Sequence, residues 1–181
     1  MRRLDRAHSA LVLLDVQDRV IRSLKEDIRR VALERMGWLR FVATRCELPY
    51  LLTELDPRAH GLTVPQLAGG EELHHVAFSA VDRTDLVARL QKHGREQVVI
   101  AGMETHLAVA QTVADLLDAG LQVHLVVDAL MDRRPEDAAV AIERMKLQGA
   151  VPTTTSAVLY SWVCDAADPM LHELHRGLRQ A

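Results

Sequence analysis

The chain has 181 residues, of which 49% are hydrophobic, and 22 Lys+Arg face 25 Asp+Glu for a net charge of −3. This length suits one domain with a sizeable core. The near balance of charge, without a basic cluster, argues against a nucleic-acid partner, and no apolar run approaches the roughly 20 residues of a membrane span.

Met1-Arg2-Arg3 is basic, but Leu11 to Leu14 is too short for a signal-peptide core and Asp15 interrupts it, so the expected location is the cytoplasm. Ala10 to Val16 (ALVLLDV) reads as a central parallel strand. Asp15 then sits at its carboxyl end, the edge where open α/β sheets place ligands. The plainer alternative is an Asp that caps the following turn. Ile28 to Cys46 carries helical spacing, and Pro49 precedes a strand at Tyr50 to Thr53. His74 to Ala80 reads as a short strand, and Asp82 to His93 as a helix that Gly94 ends.

The chain is organised around Gln97 to Thr112 (QVVIAGMETHLAVAQT). Val98 to Ala101 is an apolar run rich in β-branched residues, as in a strand buried on both faces. Gly102 is expected to break it. Thr105 to Ala119 has helical spacing with a polar stripe at Gln111, Asp115 and Asp118, and Gly120 ends it. A strand, tight turn and helix aim backbone N–H groups at whatever lies above the turn. Leu121 to Asp128 is the next strand, Arg134-Pro135 opens a helix to Leu147, and Ala150 to Thr153 is the last strand. The tail beyond Asp168 fits either an amphipathic helix or a frayed end. Alternating strands and helices place the fold in the α/β class with a parallel sheet. Cys46 and Cys164 lie far apart in sequence and point to neither a disulfide framework nor a zinc site.

Gly102-Met103-Glu104-Thr105-His106-Leu107-Ala108-Val109, followed by Gln111-Thr112, resembles the nucleophile turn of the isochorismatase-like cysteine hydrolases, G-x-E-T-H-x-C-V. Ala108 stands where that family has its nucleophilic Cys. Asp15 and Gln17 match the family's D-x-Q, whose Asp is the catalytic acid. Thr53-Glu54-Leu55-Asp56-Pro57 and Gly61 to Leu67 resemble the T-E-Q-x-P region of one branch. Phe78 and Ser79 match its K-x-x-F-S, with His75 in place of the catalytic Lys. Asp128-Ala129 matches V-D-A, and Thr154-Thr155-Ser156 resembles T-T-S-E with Ala157 in place of the Glu.

The likeness covers roughly residues 8 to 160, leaving 165 to 181 as a tail of the single domain 1 to 181. It implies a three-layer α/β/α fold around a six-stranded, mainly parallel, Rossmann-like sheet. It implies Asp15, His75 and the Ala108 position as the catalytic places, with Gln17, Glu54, Phe78, Met103, Glu104, Thr105 and Leu107 as binding residues. A lone His near a strand end is ordinarily hydrogen-bonded or on the surface, and motif register is what moves His75 into a pocket. Glu54 and Asp56 also read as capping or bonding to the loop after them. Leu55 and Pro57 occupy the places of the Asp-x-His that ligates metal in related nicotinamidases, and neither can bind one, so no metal or cofactor is expected. By register the cis non-proline peptide common in the family would be Met103–Glu104.

The family's thiolate attacks an amide or related carbon, with Asp moving the proton and Lys lowering the thiol pKa. A methyl group cannot attack, and no Lys lies beside Phe78-Ser79. Cys46 and Cys164 are out of register. Three readings follow. The chain binds a small molecule or partner without covalent catalysis; or Asp15 and His75 act as an acid–base pair on a small amide, ester or vinyl ether; or it is a non-catalytic structural subunit. A polar pocket containing Asp15 and His75 would favour the first two, and one filled by Phe78, Met103 or Leu55 the third. Family members are generally homo-oligomers, and Ala157 to Val163 (AVLYSWV) reads as an apolar surface that a second copy would cover.

Overall fold

The computed structural model describes residues 3–178, so Met1, Arg2 and the last three residues of the tail lie outside it. Six strands form one sheet in the order β3-β2-β1-β4-β5-β6, with every pair parallel. The strands are β1 (Ser9–Leu14), β2 (Tyr50–Leu55), β3 (Glu71–His75), β4 (Gln97–Met103), β5 (Gln122–Met131) and β6 (Val151–Thr153). The order reverses between β1 and β4, and the crevice at such a reversal is where doubly wound sheets hold ligands.

The apolar runs of β1 and β4 are buried because helices cover both faces of the sheet. Leu11 and Leu13 of β1 join Val99, Ala101 and Met103 of β4 on one face, under α2 (Glu26–Arg45), α7 (Thr155–Val163) and α8 (Pro169–Leu178). Ala10, Val12 and Leu14 join Val98 and Ile100 on the other, under α4 (Leu86–Lys92), α5 (Ala110–Asp118) and α6 (Pro135–Gln148). Short helices α1 (Asp18–Ile21) and α3 (Pro57–His60) follow β1 and β2 at the carboxyl edge. No helix among the described residues is long and apolar enough to cross a membrane.

Five local features differ from the sequence reading. Gly102 does not end β4 but continues it, at φ 151° opposite Leu14, with a register shift against β5. A Cβ there would lie 2.3 Å from the Leu14 carbonyl oxygen, so glycine is required by the close approach of β1. The third strand comes earlier than His74 to Ala80. It is an edge strand whose outward residues are polar, Glu71 and Glu72 among them, so its hydrophobic signal is weak. The helix expected from Asp82 starts only at Leu86, because Arg83 adopts left-handed backbone, φ 61°. The helix expected from Thr105 opens with a π turn, Thr105–Val109, before α5.

Finally, the apolar segment Ala157 to Val163 is not a bare surface. Val158, Leu159, Trp162 and Val163 are buried within the chain's own core, and Tyr160 is left half-exposed. The tail is helical, with Met170 and Leu174 packed into the same core.

Candidate functional site

Three acidic residues with left-handed backbone stand at the carboxyl ends of three adjacent strands. Asp15 (φ 55°) follows β1, Asp56 (φ 35°) follows β2 and Glu104 (φ 58°) follows β4. This conformation is uncommon for residues other than glycine, least so for Asp and Asn, and clusters where function constrains the chain. At Asp15 it reverses the chain at once: the Gln17 N–H donates to the Asp15 carbonyl, 2.8 Å.

The Asp15 carboxylate is 5% exposed. Its Oδ1 accepts from Thr53 Oγ1 at 2.6 Å and from His75 Nε2 at 2.9 Å. The other side of the imidazole is fixed as well, because Nδ1 lies 2.7 Å from the Ala77 carbonyl oxygen. A carbonyl only accepts, so Nδ1 carries a hydrogen, and donation to Asp15 makes the ring an imidazolium. Burial alone would push this ring below the ordinary imidazole range. The hydrogen bond and charge of Asp15, with the Ala77 carbonyl, outweigh burial and hold it above. Asp15 Oδ2 is buried and has no hydrogen-bond partner among the described residues. Leaving a buried acceptor unpaired costs about 1–3 kcal/mol, more when it is charged.

Gln17 is fully buried and its amide is spent on the backbone. Nε2 donates to the carbonyls of Leu55 (3.1 Å) and Gly61 (2.7 Å), and Oε1 accepts from the Leu55 N–H (3.0 Å). With the Gln17–Thr63 bridge, this clamp draws α3 and the loop after it against α1.

Across the crevice, the β4 turn is sewn to the end of β5. The Glu104 N–H donates to the Met131 carbonyl, and the Thr105 N–H to Asp132 Oδ2 at 3.1 Å. His106 Nδ1 meets Asp132 Oδ1 at 2.8 Å. Arg133 Nη2 pairs with Glu104 Oε1 at 2.9 Å. The Glu104 carbonyl accepts from both Leu107 and Val109, which defines the π turn and sets Ala108 in it. The Met103–Glu104 peptide is trans, not cis as the motif register implied.

Between these walls lies a cavity of about 240 Å³. Its lining comes from Asp15, Gln17 and Val20 on the β1 side, Leu55 at the end of β2 and His60 after it, and Phe78 after β3. Glu104, Leu107 and Ala108 of the β4 turn and Arg133 after β5 complete it. Of the residues expected at the site, Asp15, Gln17, Phe78, Glu104, Leu107 and Ala108 therefore meet at one cavity.

His75 does not line this cavity. It stands behind Asp15, its side chain wholly buried, and only its backbone reaches the separate cleft beside Asp56 and Arg83. Met103 points into the core beneath α2, one residue out of phase with the turn. Thr105 is wholly buried. Glu54 is a loop anchor: its Oε1 accepts from the Thr63 N–H at 2.6 Å and its Oε2 lies 3.2 Å from His74 Nε2. That separation meets an ion-pair distance but not hydrogen-bond geometry, so the backbone bond is the firmer contact.

Sequence reasoning did not find Val20, His60 and Arg133. Each lies on a segment brought in by the Gln17 clamp or by the β4–β5 stitching, and none carries a motif. Glu104, His106 and Asp132 have ligand atoms within 4.8 Å of one another. Their oxygens are already engaged by Arg133, the Thr105 N–H and His106 itself, which accounts for the cluster without a cation.

The isochorismatase domain as a family matches residues 51–157, more than half of the chain. Isochorismatase domain-containing protein 2 of Pongo abelii is 39% identical over 144 residues, covering 77% of this chain and 68% of that protein. Its human counterpart is 36% identical over 143 residues, covering 77% and 68%. A structure of the MAR1 ribonuclease from Caenorhabditis elegans superimposes with a TM-score of 0.88 at 29% identity, covering 97% of this chain and 91% of the other. The ycaC gene product of Escherichia coli, described as an octameric hydrolase of unknown specificity, gives a TM-score of 0.86 at 24% identity, covering 98% and 95%. At that identity the second structure shows the fold alone.

Proposed function

The chain belongs to the isochorismatase domain family, and from that premise we propose that it binds a small polar molecule at Asp15 without covalent catalysis. One observation carries the reading: the cavity wall where the family's nucleophile would stand is the methyl group of Ala108, 2% exposed. Neither thiol replaces it. Cys46 caps the end of α2 and Cys164 the end of α7, and neither lines the cavity. Asp15, Glu104, Leu107 and Phe78 are on this reading the binding residues, and His75 a positioning residue that keeps Asp15 paired. The volume lies below the about 300–1,000 Å³ usual for drug-sized ligands, which restricts the ligand to a small molecule.

A second reading rests on the unpartnered Asp15 Oδ2, which is free to act as a general base on water or substrate. His75 supports it poorly as an acid–base partner, because both ring nitrogens are engaged away from the cavity. A ribonuclease reading, by analogy with the nematode protein, draws no support from the composition, 22 Lys+Arg against 25 Asp+Glu. Assembly into a homo-oligomer is part of the proposal. Its support is the octameric description of the E. coli protein, not the Ala157 to Val163 segment, which the chain covers itself. Light scattering at micromolar concentration should give a dimer or larger, and a monomer overturns it.

The test of function is a turnover and binding panel of small amides, esters and vinyl ethers. Wild type should show no covalent adduct by mass spectrometry and no turnover above Asp15→Asn, while ligands that raise its melting temperature should lose that effect in Asp15→Asn. Turnover in wild type that Asp15→Asn abolishes would establish the second reading instead.

A further inference from the structure

The two thiols lie far apart in sequence, but the fold brings them together at the amino edge of the sheet, opposite the cavity. Cys46 ends α2 on the way into β2, and Cys164 ends α7, which runs back from β6. Arg6, just before β1, joins them. Its Nη1 lies 3.9 Å from the Cys46 sulfur and 3.5 Å from the Trp162 carbonyl oxygen, and the Cys164 thiol donates to that same oxygen at 3.4 Å. One guanidinium nitrogen and one carbonyl oxygen therefore link the two sulfurs, and each sulfur lies within reach of the other's charge. Asp168 Oδ2, 2.8 Å from Nη1, keeps the guanidinium in place.

The two thiols differ in access. Cys164 is exposed and Cys46 is half-buried. Burial pushes the Cys46 thiol up, and Arg6 pulls it back only in part. Cys164 also has an unusual backbone, φ 71° and ψ −57°, with the Asp165 N–H donating to the Val163 carbonyl at 2.9 Å. That makes it the centre of a γ-turn of the rare, strained hand. Such strain at residues other than glycine concentrates at functional and switch positions. An exposed thiol beside a shielded one is the arrangement of an oxidation sensor and its resolving partner.

The geometry points to Cys46 and Cys164 as a redox-responsive pair that a peroxide closes into a disulfide within the chain, Arg6 swinging outward to let the sulfurs meet. The Arg6 side chain is 42% exposed, so solvent receives it. The Cys164 thiolate attacks one peroxide oxygen, the O–O bond breaks, hydroxide leaves and a sulfenic acid forms. The Cys46 thiolate then attacks that sulfur, and the S–O bond breaks as the S–S bond forms, releasing a second hydroxide. Each hydroxide takes up the proton that one thiol gave, so two thiols and one peroxide yield one disulfide and two waters. The pair is independent of what the cavity binds.

The test exposes reduced, full-length protein to hydrogen peroxide and follows intact mass, free thiols and peptide maps without reductant. Wild type should lose both thiols together, fall in mass by two hydrogens and yield a peptide pair joined through Cys46 and Cys164, all reversed by dithiothreitol. Closure should be at least about tenfold faster in the folded protein than in urea, because the fold replaces closure of a long loop. Cys46→Ser should leave Cys164 as a sulfenic acid that dimedone traps, and Cys164→Ser should leave Cys46 reduced under the same exposure. Circular dichroism checks that both variants are folded.

Thiols that survive in wild type, thiols oxidised separately to sulfinic acid, or links formed only between two copies would each overturn the pair. Equal rates in the folded and urea-unfolded chain would show that the fold does not position it. Oxidation of Cys46 in Cys164→Ser as fast as in wild type would overturn Cys164 as the first site of attack.

Discussion

The two walls of the cavity are built on different terms. On the β1–β2–β3 side, a buried carboxylate, an imidazolium, a hydroxyl and a carboxamide lock one another and the backbone in place. On the β4–β5 side, Asp132 and His106 stitch the π turn to β5, and the cavity meets Leu107, the Ala108 methyl and the Glu104–Arg133 ion pair. The first wall is intolerant, since each member leaves a buried partner stranded if removed. The second is permissive at Ala108, whose side chain makes no polar contact. A charged network behind a cavity is thus maintained by folding energetics whatever chemistry the cavity performs, whereas a nucleophile is maintained by chemistry alone.

The largest expected effect comes from breaking the intolerant wall. Asp15→Ala leaves the His75 imidazolium buried without its counter-charge, and removal of one member of such a pair costs about 3–5 kcal/mol. Urea denaturation should show that loss, and a change below about 1 kcal/mol would mean that the pair is not a charged network in the folded protein.

A smaller effect appears in pH dependence. The His75 ring is held above its ordinary range in the folded state, while in the unfolded chain it returns to about 6.5. The folded state therefore binds the proton more tightly. Its stabilisation is complete below about pH 6.5 and is lost as pH rises through the folded value. Stability of wild type relative to His75→Gln should fall across that range in urea midpoints taken from about pH 5.5 to 9. A difference that stays flat would show the ring to be neutral.

The smallest effect on stability belongs to the permissive wall. Ala108→Cys should leave unfolding within about 1 kcal/mol of wild type, because the added sulfur projects toward existing space. The installed thiol should nevertheless react with iodoacetamide faster than Cys46, whose pKa is raised chiefly by burial, and faster than Cys164 at the end of α7. Peptide mass spectrometry over a pH series would measure the three rates. Adding His75→Lys should raise the rate of the installed thiol further, and equal rates at all three thiols would show that the turn gives a nucleophile no advantage.

Much of this architecture is legible in the residues themselves. The near-continuous apolar runs of β1, β4 and β5 announce strands covered on both faces, and the helical spacings between them require parallel crossovers. That places Asp15 and Ala108 at one sheet edge, because both follow the carboxyl ends of parallel strands. Motif register also carries Phe78, Glu104 and Leu107 to the cavity. Register cannot say which way a side chain turns. Met103 alternates into the core with Val99 and Ala101, and His75 ends an edge strand with its ring behind Asp15 rather than before it.

Sequence alone therefore determined the layers, the strand ends and the chemistry missing at Ala108, since hydrophobic periodicity and residue identity are local properties. Tertiary structure alone decided the rest. Gly102 continues its strand because β1 passes too close for a side chain, a contact between residues 88 apart in the chain. His60, Val20 and Arg133 reach the cavity through the Gln17 clamp and the Glu104 ion pair. The hydrogen bonds that place them join segments whose sequences carry no sign of one another.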